Sequence, residues 1–291
     1  MASTAGNVWR LLRAGRTLAA YDALLPAQHL VELPASARLM LSTARFGRRA
    51  ERSLTANPLA DALVVLGPSY IKLGQFLATR SDLVGPVRAR DLTMLQDRLT
   101  PFPQEQALSE IRRAFGAEPA ALFSHFGEPV AAASIAQVHR ARTAGGREVA
   151  VKILRPGIEK QFSNDVESFL FAAKLIERWH KPSRRLRPLD AVLTLAQSVQ
   201  LEMDLRMEAA AIAEMGQNVK NDTGFRVPEV DWARTAQRIL TTDWIDGLPL
   251  GDVEGLKRAG HEPEKIAETL IQSFLRHAIR DGFFHADMHQ G

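Results

Sequence analysis

The sequence predicts an α+β fold in which helices come first and a strand-rich segment follows. Up to about residue 126, apolar residues and helix-start signals recur at helical spacing. From Pro129 onward, short β-branched runs separated by turn signals appear, and two long helical segments, further strands and a last helix follow. Elements grouped in this order are typical of an α+β domain with helices added in front.

The helical part has recognisable start and stop residues. Asn57 followed by Pro58 is a favourable N-cap and first-turn pair, and Gly67 followed by Pro68 ends the helix that they begin. The helices expected from these signals are residues 59–66, 69–80 and 104–115.

The strand-rich part begins with a predicted hairpin, in which a turn at 143–146 joins strands 134–141 and 148–154. The remaining expected elements are helices over 164–180, 189–218 and 263–281, and strands at 227–228, 238–242 and 244–245. We therefore divide the chain into a helical extension (1–126), a sheet segment with inserted helices (127–241) and a final segment (242–291).

Composition excludes several classes of protein. The 291 residues include no cysteine, which excludes a disulfide scaffold, a Cys-ligated zinc or iron–sulfur site and a thiol nucleophile. The net charge of +4 is modest: it permits contact with phosphates or an anionic membrane surface, and we expect no nucleic-acid partner. No apolar run reaches the roughly 18 residues that a transmembrane helix needs, so we expect a soluble or peripheral chain.

The first 52 residues are rich in arginine and poor in acidic residues. Three interpretations of this start remain open. It is a transit peptide, a basic helix that lies on anionic lipid, or a solvated helical face.

Lys152 lies in the middle of the apolar strand Val149–Ile153. Burial of a lysine is costly unless an anion pairs with it, so in isolation an edge-strand lysine that points to solvent is the simpler interpretation. In protein kinases the same pattern presents the lysine that binds the α- and β-phosphates of the nucleotide. The alanine-rich segment 130–134 precedes it, where a kinase carries its glycine-rich phosphate loop.

Acidic residues cluster at positions 202–208. If this segment is helical throughout, Asp204 and Glu208 share a face, and Glu202 can pair with Arg206 four residues later. The cluster is then either a surface ion-pair group or the source of an acidic partner for Lys152.

The last seven residues present His285, Asp287 and His289 at alternate positions. This spacing suggests a metal site. Alternatively, His285 and Asp287 imitate the H-R-D of a kinase, in which the Asp accepts the proton of the attacking hydroxyl. Either histidine can also be purely structural. The order of phosphate loop, strand lysine, helix glutamate, hinge strand and catalytic aspartate is that of a protein kinase.

In this order the motifs resemble those of the UbiB/AarF family of atypical kinases, over about Ala60 to Gly291. Lys72 to Gln75 resembles the family's K-x-G-Q signature, Ala131 to His139 its alanine-rich loop, Glu202 to Asp204 its E-x-D motif, Asp243 to Gly247 its hinge, and Phe284 to His289 its catalytic loop.

The resemblance implies a protein-kinase-like fold: a helical extension with the K-x-G-Q motif (1–126), an N-lobe (127–241), and a hinge with the start of a helical C-lobe (242–291). Lys152 would bind phosphates and pair with Glu208, or with Glu202, and Asp287 would be the general base. The implied nucleotide-binding residues are Ala131, Ala132, Ala133, Ser134, Lys152, Thr242, Asp243, Trp244 and Ile245. The implied regulatory residues are Lys72, Gly74, Gln75, Glu202 and Asp204, on or near a helical cover that in this family blocks protein substrates.

The resemblance also implies ATP or ADP and Mg²⁺ as cofactors. A kinase loop carries a metal-binding Asn four residues after its Asp, but that position is Gly291 here and no D-F-G follows. We therefore expect no Mg²⁺ ligand within this sequence, a chain cut off early in its C-lobe, and no activity from the 291 residues alone.

The expected function of the complete protein is Mg-ATP-dependent phosphoryl transfer or ATP hydrolysis that serves ubiquinone biosynthesis. The expected location is peripheral, at the cytoplasmic face of the inner membrane or in mitochondria. Expected partners are a nucleotide, an anionic membrane surface and proteins of an isoprenoid-lipid pathway. Two alternatives remain: an inactive nucleotide- or lipid-binding scaffold, and a metal hydrolase that uses His285, Asp287 and His289.

Overall fold

A computed structural model describes residues 4–21, 23, 57–93, 95 and 99–285. The described helices are α1 (Thr4–Ala20), α2 (Pro58–Leu66), α3 (Pro68–Ala78), α4 (Ser81–Val84), α5 (Pro86–Thr93), α6 (Gln104–Phe115), α7 (Pro119–Leu122), α8 (Ile158–Trp179), α9 (Pro188–Glu202), α10 (Leu205–Asn218), α11 (Val253–Arg258) and α12 (Pro263–Arg276). The described strands are β1 (Phe123–Ala132), β2 (Ala136–Thr143), β3 (Glu148–Leu154) and β4 (Ile239–Asp243). Short 3₁₀ turns at Lys181–Leu186 and Trp232–Arg234 and a π-helical turn at His277–Asp281 complete the set.

These elements form two compact units, each assembled from separate stretches of chain. The first unit takes the described residues up to Pro103, together with Ala131–Gln137 and Leu154–Met203. The second takes Gln104–Val130, Val138–Ile153 and the described residues from Asp204 onward.

The first unit is a helical cluster around one apolar core. Asn57 caps α2 as expected, because its side chain accepts a hydrogen bond from the backbone N–H of Ala60 at 3.2 Å. Tyr70 of α3 meets Phe169 of α8 edge to face, with ring centroids 5.0 Å apart. The buried residues of this core include Ala14, Ala60, Leu63, Tyr70, Leu92, Leu95, Phe162, Phe169, Leu195 and Val199.

Helix α1 belongs to this helical unit. Its Ala14 joins the core, and the guanidinium of Arg10 donates a 2.8 Å hydrogen bond to the Ser168 hydroxyl on α8. The part of the arginine-rich start that follows α1, residues 24–56, lies outside the described residues.

The second unit carries most of a four-stranded sheet with the order β1-β2-β3-β4. Strands β3 and β4 run antiparallel, with Val149 opposite Asp243 and Ile153 opposite Ile239. In β3, Val149, Val151 and Ile153 are fully buried, so Lys152 lies on the opposite, partly exposed face.

The mixed helix and strand fold predicted from the sequence is confirmed, and so is α6 at 104–115. Strand β1 begins at Phe123, earlier than the expected change at Pro129. Turn-forming Gly127 and Pro129 lie inside it and weaken the sequence pattern of a strand.

Three further expectations are corrected in the second half of the chain. The stretch expected as strand at 227–228 is irregular, and Val230, just after it, forms an isolated bridge to Thr242. Residues 244–245 follow β4 without being part of it. The last helix changes to a π-helical turn after Arg276.

Gly74 marks a close approach of α3 to its neighbours in the first unit. A Cβ atom at this position would lie 2.7 Å from the Leu63 Cδ1 atom and 3.4 Å from the Leu92 Cδ2 atom, and closer still to Leu95. All three leucines are buried, so they have little room to move. The glycine is therefore explained by packing.

We predict that Gly74→Ala lowers the free energy of unfolding by about 1 kcal/mol. Overpacking costs about 1–3 kcal/mol, and the better helix propensity of alanine offsets about 1 kcal/mol of this cost. The control is Gly247→Ala, where nothing lies within 4 Å of the added atom. Urea denaturation measures both, and a Gly74→Ala protein as stable as wild type would contradict the packing explanation.

A buried carboxyl group gives the first unit a pH-dependent stability. Burial raises the pKa of Asp165 above its ordinary value, although the Ser69 hydroxyl and the charges of Arg10 and Arg13 oppose this. The burial of Tyr70, together with the charge of Asp165, raises the pKa of Tyr70 to about 12.

We predict that wild type loses stability relative to Asp165→Asn as the pH rises from 4 to 7. An unfolded aspartate has a pKa of about 3.9. Above that pH the folded protein holds the Asp165 proton more tightly than the unfolded chain does, so its stability falls until the pH has passed the raised pKa. Urea denaturation of both proteins across this range tests the prediction, and a constant difference between them would refute it.

Candidate active site

The centre of the candidate site is an ion pair between β3 and α10, both in the second unit. The Lys152 Nζ atom donates hydrogen bonds to the two carboxylate oxygens of Glu208, at 2.7 and 2.9 Å. The side chains are 30% and 41% exposed, so solvent and ligands can reach the pair. Strand β3 is an interior strand, between β2 and β4. The interpretation of Lys152 as an edge-strand residue is therefore wrong.

Helix α10 begins where a longer helix was expected to continue. Residues 189–218 are two helices, broken at Met203, and Asp204 is the N-cap of the second. Its side chain accepts a 3.1 Å hydrogen bond from the backbone N–H of Arg206. The backbone N–H of Leu205 donates to the carbonyl of Gln237 at 2.8 Å, which fixes the start of α10 beside β4. Aspartate favours such a cap over a helix interior.

The break changes the arrangement of the acidic cluster. Asp204 lies outside the helix that carries Glu208, so the expected shared face of these two acids is wrong. Arg206 pairs with Asp204 at 2.6 Å and not with Glu202. The Arg206 guanidinium beside Asp204 holds the pKa of that carboxyl below its usual value.

The K-x-G-Q residues lie on α3, in the first unit. The Lys72 Nζ atom lies 2.6 Å from a Glu202 carboxylate oxygen at the end of α9. Glu202 is thus engaged by Lys72, and the Lys152 partner is Glu208. Gln75 is half-buried on the same helix, and Gly74 is buried against leucines.

The alanine-rich segment Ala131–Ser134 spans the end of β1 and the start of the connection to β2. The N–H of Ala133 donates to the carbonyl of Ala136 at 2.8 Å, so this donor is not directed at a ligand. Ser134 is fully buried. Of the four residues, Ala131 and Ala132 still belong to β1. The structure therefore gives no free backbone donor at Ala133 and no exposed hydroxyl at Ser134.

The expected hinge, Thr242–Ile245, starts within β4 and leaves it. The N–H of Asp243 donates to the Glu229 carbonyl at 2.9 Å, and the N–H of Trp244 donates to the Glu148 carbonyl at 3.1 Å. Within the described part of the chain, the N–H of Ile245 has no such acceptor. Among the residues of the expected hinge, Ile245 is thus one whose N–H is left for a ligand.

Arginines that the sequence analysis did not single out hold the hinge and the alanine-rich segment. In the second unit, Arg140 lies 4.8 Å from the centre of the Trp244 ring, and Arg147 lies 3.3 Å from a carboxylate oxygen of Asp243. In the first unit, the Arg155 guanidinium donates to the Ala133 carbonyl at 2.9 and 3.1 Å. Arg155 directly follows β3, and this position was the one signal that could have drawn attention to it.

The expected catalytic loop is described only in part. His285 is exposed, whereas Asp287 and His289 lie outside the described residues. Among residues 4–21, 23, 57–93, 95 and 99–285, no group of three His, Asp or Glu side chains is placed to hold a metal ion.

The residues of the second unit fit a bound nucleotide. Lys152 offers a cation to phosphate oxygens while Glu208 keeps its Nζ atom in place, and the ion pair is partly exposed. The N–H of Ile245 is a donor of the kind that an adenine edge requires. An interior-strand lysine paired with a glutamate on a helix, with a connecting segment after the last strand of the sheet, defines a protein-kinase-like domain.

The chain belongs to the ABC1 family of atypical kinase-like proteins: the model of the ABC1 atypical kinase-like domain matches residues 94–291. The chain is 37% identical over 286 residues to the probable protein kinase UbiB of Marinobacter nauticus, covering 97% of this chain and 52% of that protein. It is 38% identical to the probable protein kinase UbiB of Pseudomonas aeruginosa over 291 residues, covering 98% and 54%. The resemblance to the UbiB/AarF family is thereby confirmed.

A solved structure supports the fold. The complex of Rv3197 with erythromycin from Mycobacterium tuberculosis has a TM-score of 0.53 and 25% sequence identity, covering 88% of this chain and 61% of that one. The present chain spans about half the length of the UbiB relatives named above. None of the helices in the described residues is long and apolar enough to cross a membrane.

We predict that Asp204→Ala lowers the free energy of unfolding by about 1 kcal/mol, because the first turn of α10 loses its side-chain cap. Asp204→Asn keeps an oxygen acceptor and is expected to stay close to wild type. Chemical denaturation of the three proteins provides the measurement. Equal losses in the Ala and Asn variants would show that the charge of Asp204, and not its cap, supports the helix that carries Glu208.

Proposed function

We propose that the whole protein is an atypical kinase or ATPase of the UbiB type. The chain spans about half the length of its UbiB relatives. The whole protein transfers the γ-phosphoryl group of ATP to an acceptor or to water, with Mg²⁺, in support of ubiquinone biosynthesis. The observation that carries this proposal is the contact of the Lys152 Nζ atom with both Glu208 oxygens, at 2.7 and 2.9 Å.

Each residue of the proposed mechanism has a separate task. Lys152 binds the α- and β-phosphates, and Glu208 holds the lysine head group, so that little reorganisation is needed when nucleotide arrives. Ile245 donates its N–H to the adenine edge. Asp287 accepts the proton of the attacking hydroxyl or water. When bound, Mg-ATP supplies the phosphoryl group and the metal charge that neutralises it.

The K-x-G-Q helix has a regulatory role in this proposal. Lys72 and Glu202 form an ion pair that joins α3 to the end of α9 within the first unit, at 2.6 Å. Glu202 is followed by Met203 and by the cap of α10, Asp204. Helix α3 is thus joined to the end of α9, and from there the chain leads directly to α10 and Glu208. These elements carry the five expected regulatory residues: Lys72, Gly74, Gln75, Glu202 and Asp204.

We also propose a peripheral membrane location, at the cytoplasmic face of the inner membrane in a bacterium. Arg13 and Arg16 are exposed on α1, and Trp9 on the same helix is 63% exposed. Exposed arginine and tryptophan side chains suit an anionic membrane surface. Proteins of the isoprenoid-lipid pathway are the partners that this location would bring together.

We expect Lys152→Met to lower ATP turnover by about 10²–10³-fold in the full-length protein, because a preorganised charged donor to the phosphates is lost. Glu208→Gln keeps the shape of the partner without its charge, and we expect a smaller loss of about tenfold. ADP release, measured with Mg-ATP, is the readout.

The matched control is Lys265→Met, which removes an exposed lysine on α12. Normal turnover in the Lys152→Met protein would overturn the proposed function, and so would an equal loss in the control. Nucleotide binding without turnover in the wild-type protein would favour the inactive scaffold.

A further inference from the structure

The first unit contains two adjoining pockets of opposite chemistry. One pocket, of about 520 Å³, is lined mainly by charged side chains, among them Lys174, Arg178, Arg184 and Arg187. The other, of about 210 Å³, is lined almost wholly by apolar side chains from α3, α4, α8 and α9. Neither pocket includes a residue of the Lys152–Glu208 site.

The pockets share their walls, because neighbouring residues of the same segments face different pockets. Ile176 lines the apolar pocket, whereas Glu177, the next residue of α8, lines the charged one. In the 3₁₀ turn and at the start of α9, Leu186 and Pro188 line the apolar pocket and Arg187 the charged one. Adjacent Cα atoms are about 3.8 Å apart, so the two pockets are separated only by the backbone of these shared segments.

The charged pocket carries positive charge that its own acids do not neutralise. The Glu177 carboxylate accepts a 3.1 Å hydrogen bond from the N–H of Leu189, and Asp190 pairs with Arg187 at 2.6 Å. In the part of the chain that the structure describes, neither Lys174 nor Arg178 has a carboxylate partner. Lys174 and Arg178 could therefore bind an anion without first breaking an ion pair with a carboxylate.

The apolar pocket indicates what is attached to that anion. Leu73, Phe76 and Leu77 of α3 form one wall, and Leu83, Ile176 and Leu186 extend it. Its volume is below the roughly 300 Å³ at which pockets for drug-sized ligands begin, which suits one hydrocarbon chain better than the side chains of a folded partner. Trp179, the residue after Arg178 at the end of α8, is 46% exposed, and an exposed indole suits a ligand with both polar and apolar parts.

From this juxtaposition we propose that the first unit binds one amphiphile, with its anionic head group on Lys174 and Arg178 and its apolar chain between α3 and α8. A phospholipid, with one phosphate head group and a hydrocarbon chain, has this chemistry. The site shares no residue with the proposed nucleotide site, so it is tested without nucleotide and does not depend on the proposed catalytic activity.

The test uses isothermal titration calorimetry of the full-length protein with dodecyl phosphate, kept below its micelle concentration. We expect saturable binding of one molecule per chain. Inorganic phosphate lacks the chain, and dodecyl maltoside lacks the anion, so each is expected to bind at least about tenfold more weakly. Equal affinity for inorganic phosphate or for dodecyl maltoside would overturn the proposal.

Variants locate the site. Lys174→Gln with Arg178→Gln is expected to weaken dodecyl phosphate binding about tenfold. Lys257→Gln with Arg258→Gln makes the same charge change on exposed α11 residues and is expected to leave binding unchanged. Ile176, which is 42% exposed, lines the apolar pocket. Ile176→Ser is expected to weaken the binding of dodecyl phosphate but not that of inorganic phosphate. Unchanged binding in both pocket variants, or an equal loss in the α11 control, would refute this site.

Discussion

The contact between Lys152 and Glu208 is the interaction on which the candidate site depends. An ion pair that is 30% and 41% exposed contributes little to stability, because solvent screens it and because two long side chains must be ordered. Its value is positional. It holds a cation on the partly exposed face of an interior strand. Without an acidic partner, the lysine side chain would be free to sample several rotamers in solvent. The sheet and α10 must both be correctly placed before these two side chains can meet.

Several local interactions secure that placement. The backbone bond from Leu205 to Gln237 and the Asp204 cap fix the first turn of α10, in which Glu208 lies. The register of β3 against β4 sets Lys152 opposite Leu240. Arg147 pairs with Asp243 at the end of β4, and Arg140 lies over the ring of Trp244, the next residue. Their guanidinium groups supply planar, many-donor contacts that a lysine could not reproduce.

The sequence was sufficient for those elements whose signals are local. Asn57 as a cap, helix α6 and the β2–β3 hairpin depend on residues within a few positions of one another, and all are present. The division of residues 189–218 into two helices was not foreseen. At Asp204, helix continuation and helix capping are both compatible with the sequence. The cap is accompanied by the backbone hydrogen bond from Leu205 to Gln237, which is more than 30 residues away. The roles of Arg147 and Arg155 were missed because their partners, such as Asp231 and Ala133, are also distant in the chain.

The interleaved course of the chain has a consequence for how the protein is made. The first unit draws its core from residues as far apart as Leu63 and Val199, and β3 gains β4 only once Ile239 has been added. Ribosomes add about 5–20 residues per second, so the leucines of the early helices wait several seconds for their neighbours. During that interval their apolar side chains are exposed on a nascent chain. Exposed apolar segments of this kind are the general reason why chaperones act on chains that are still being synthesised.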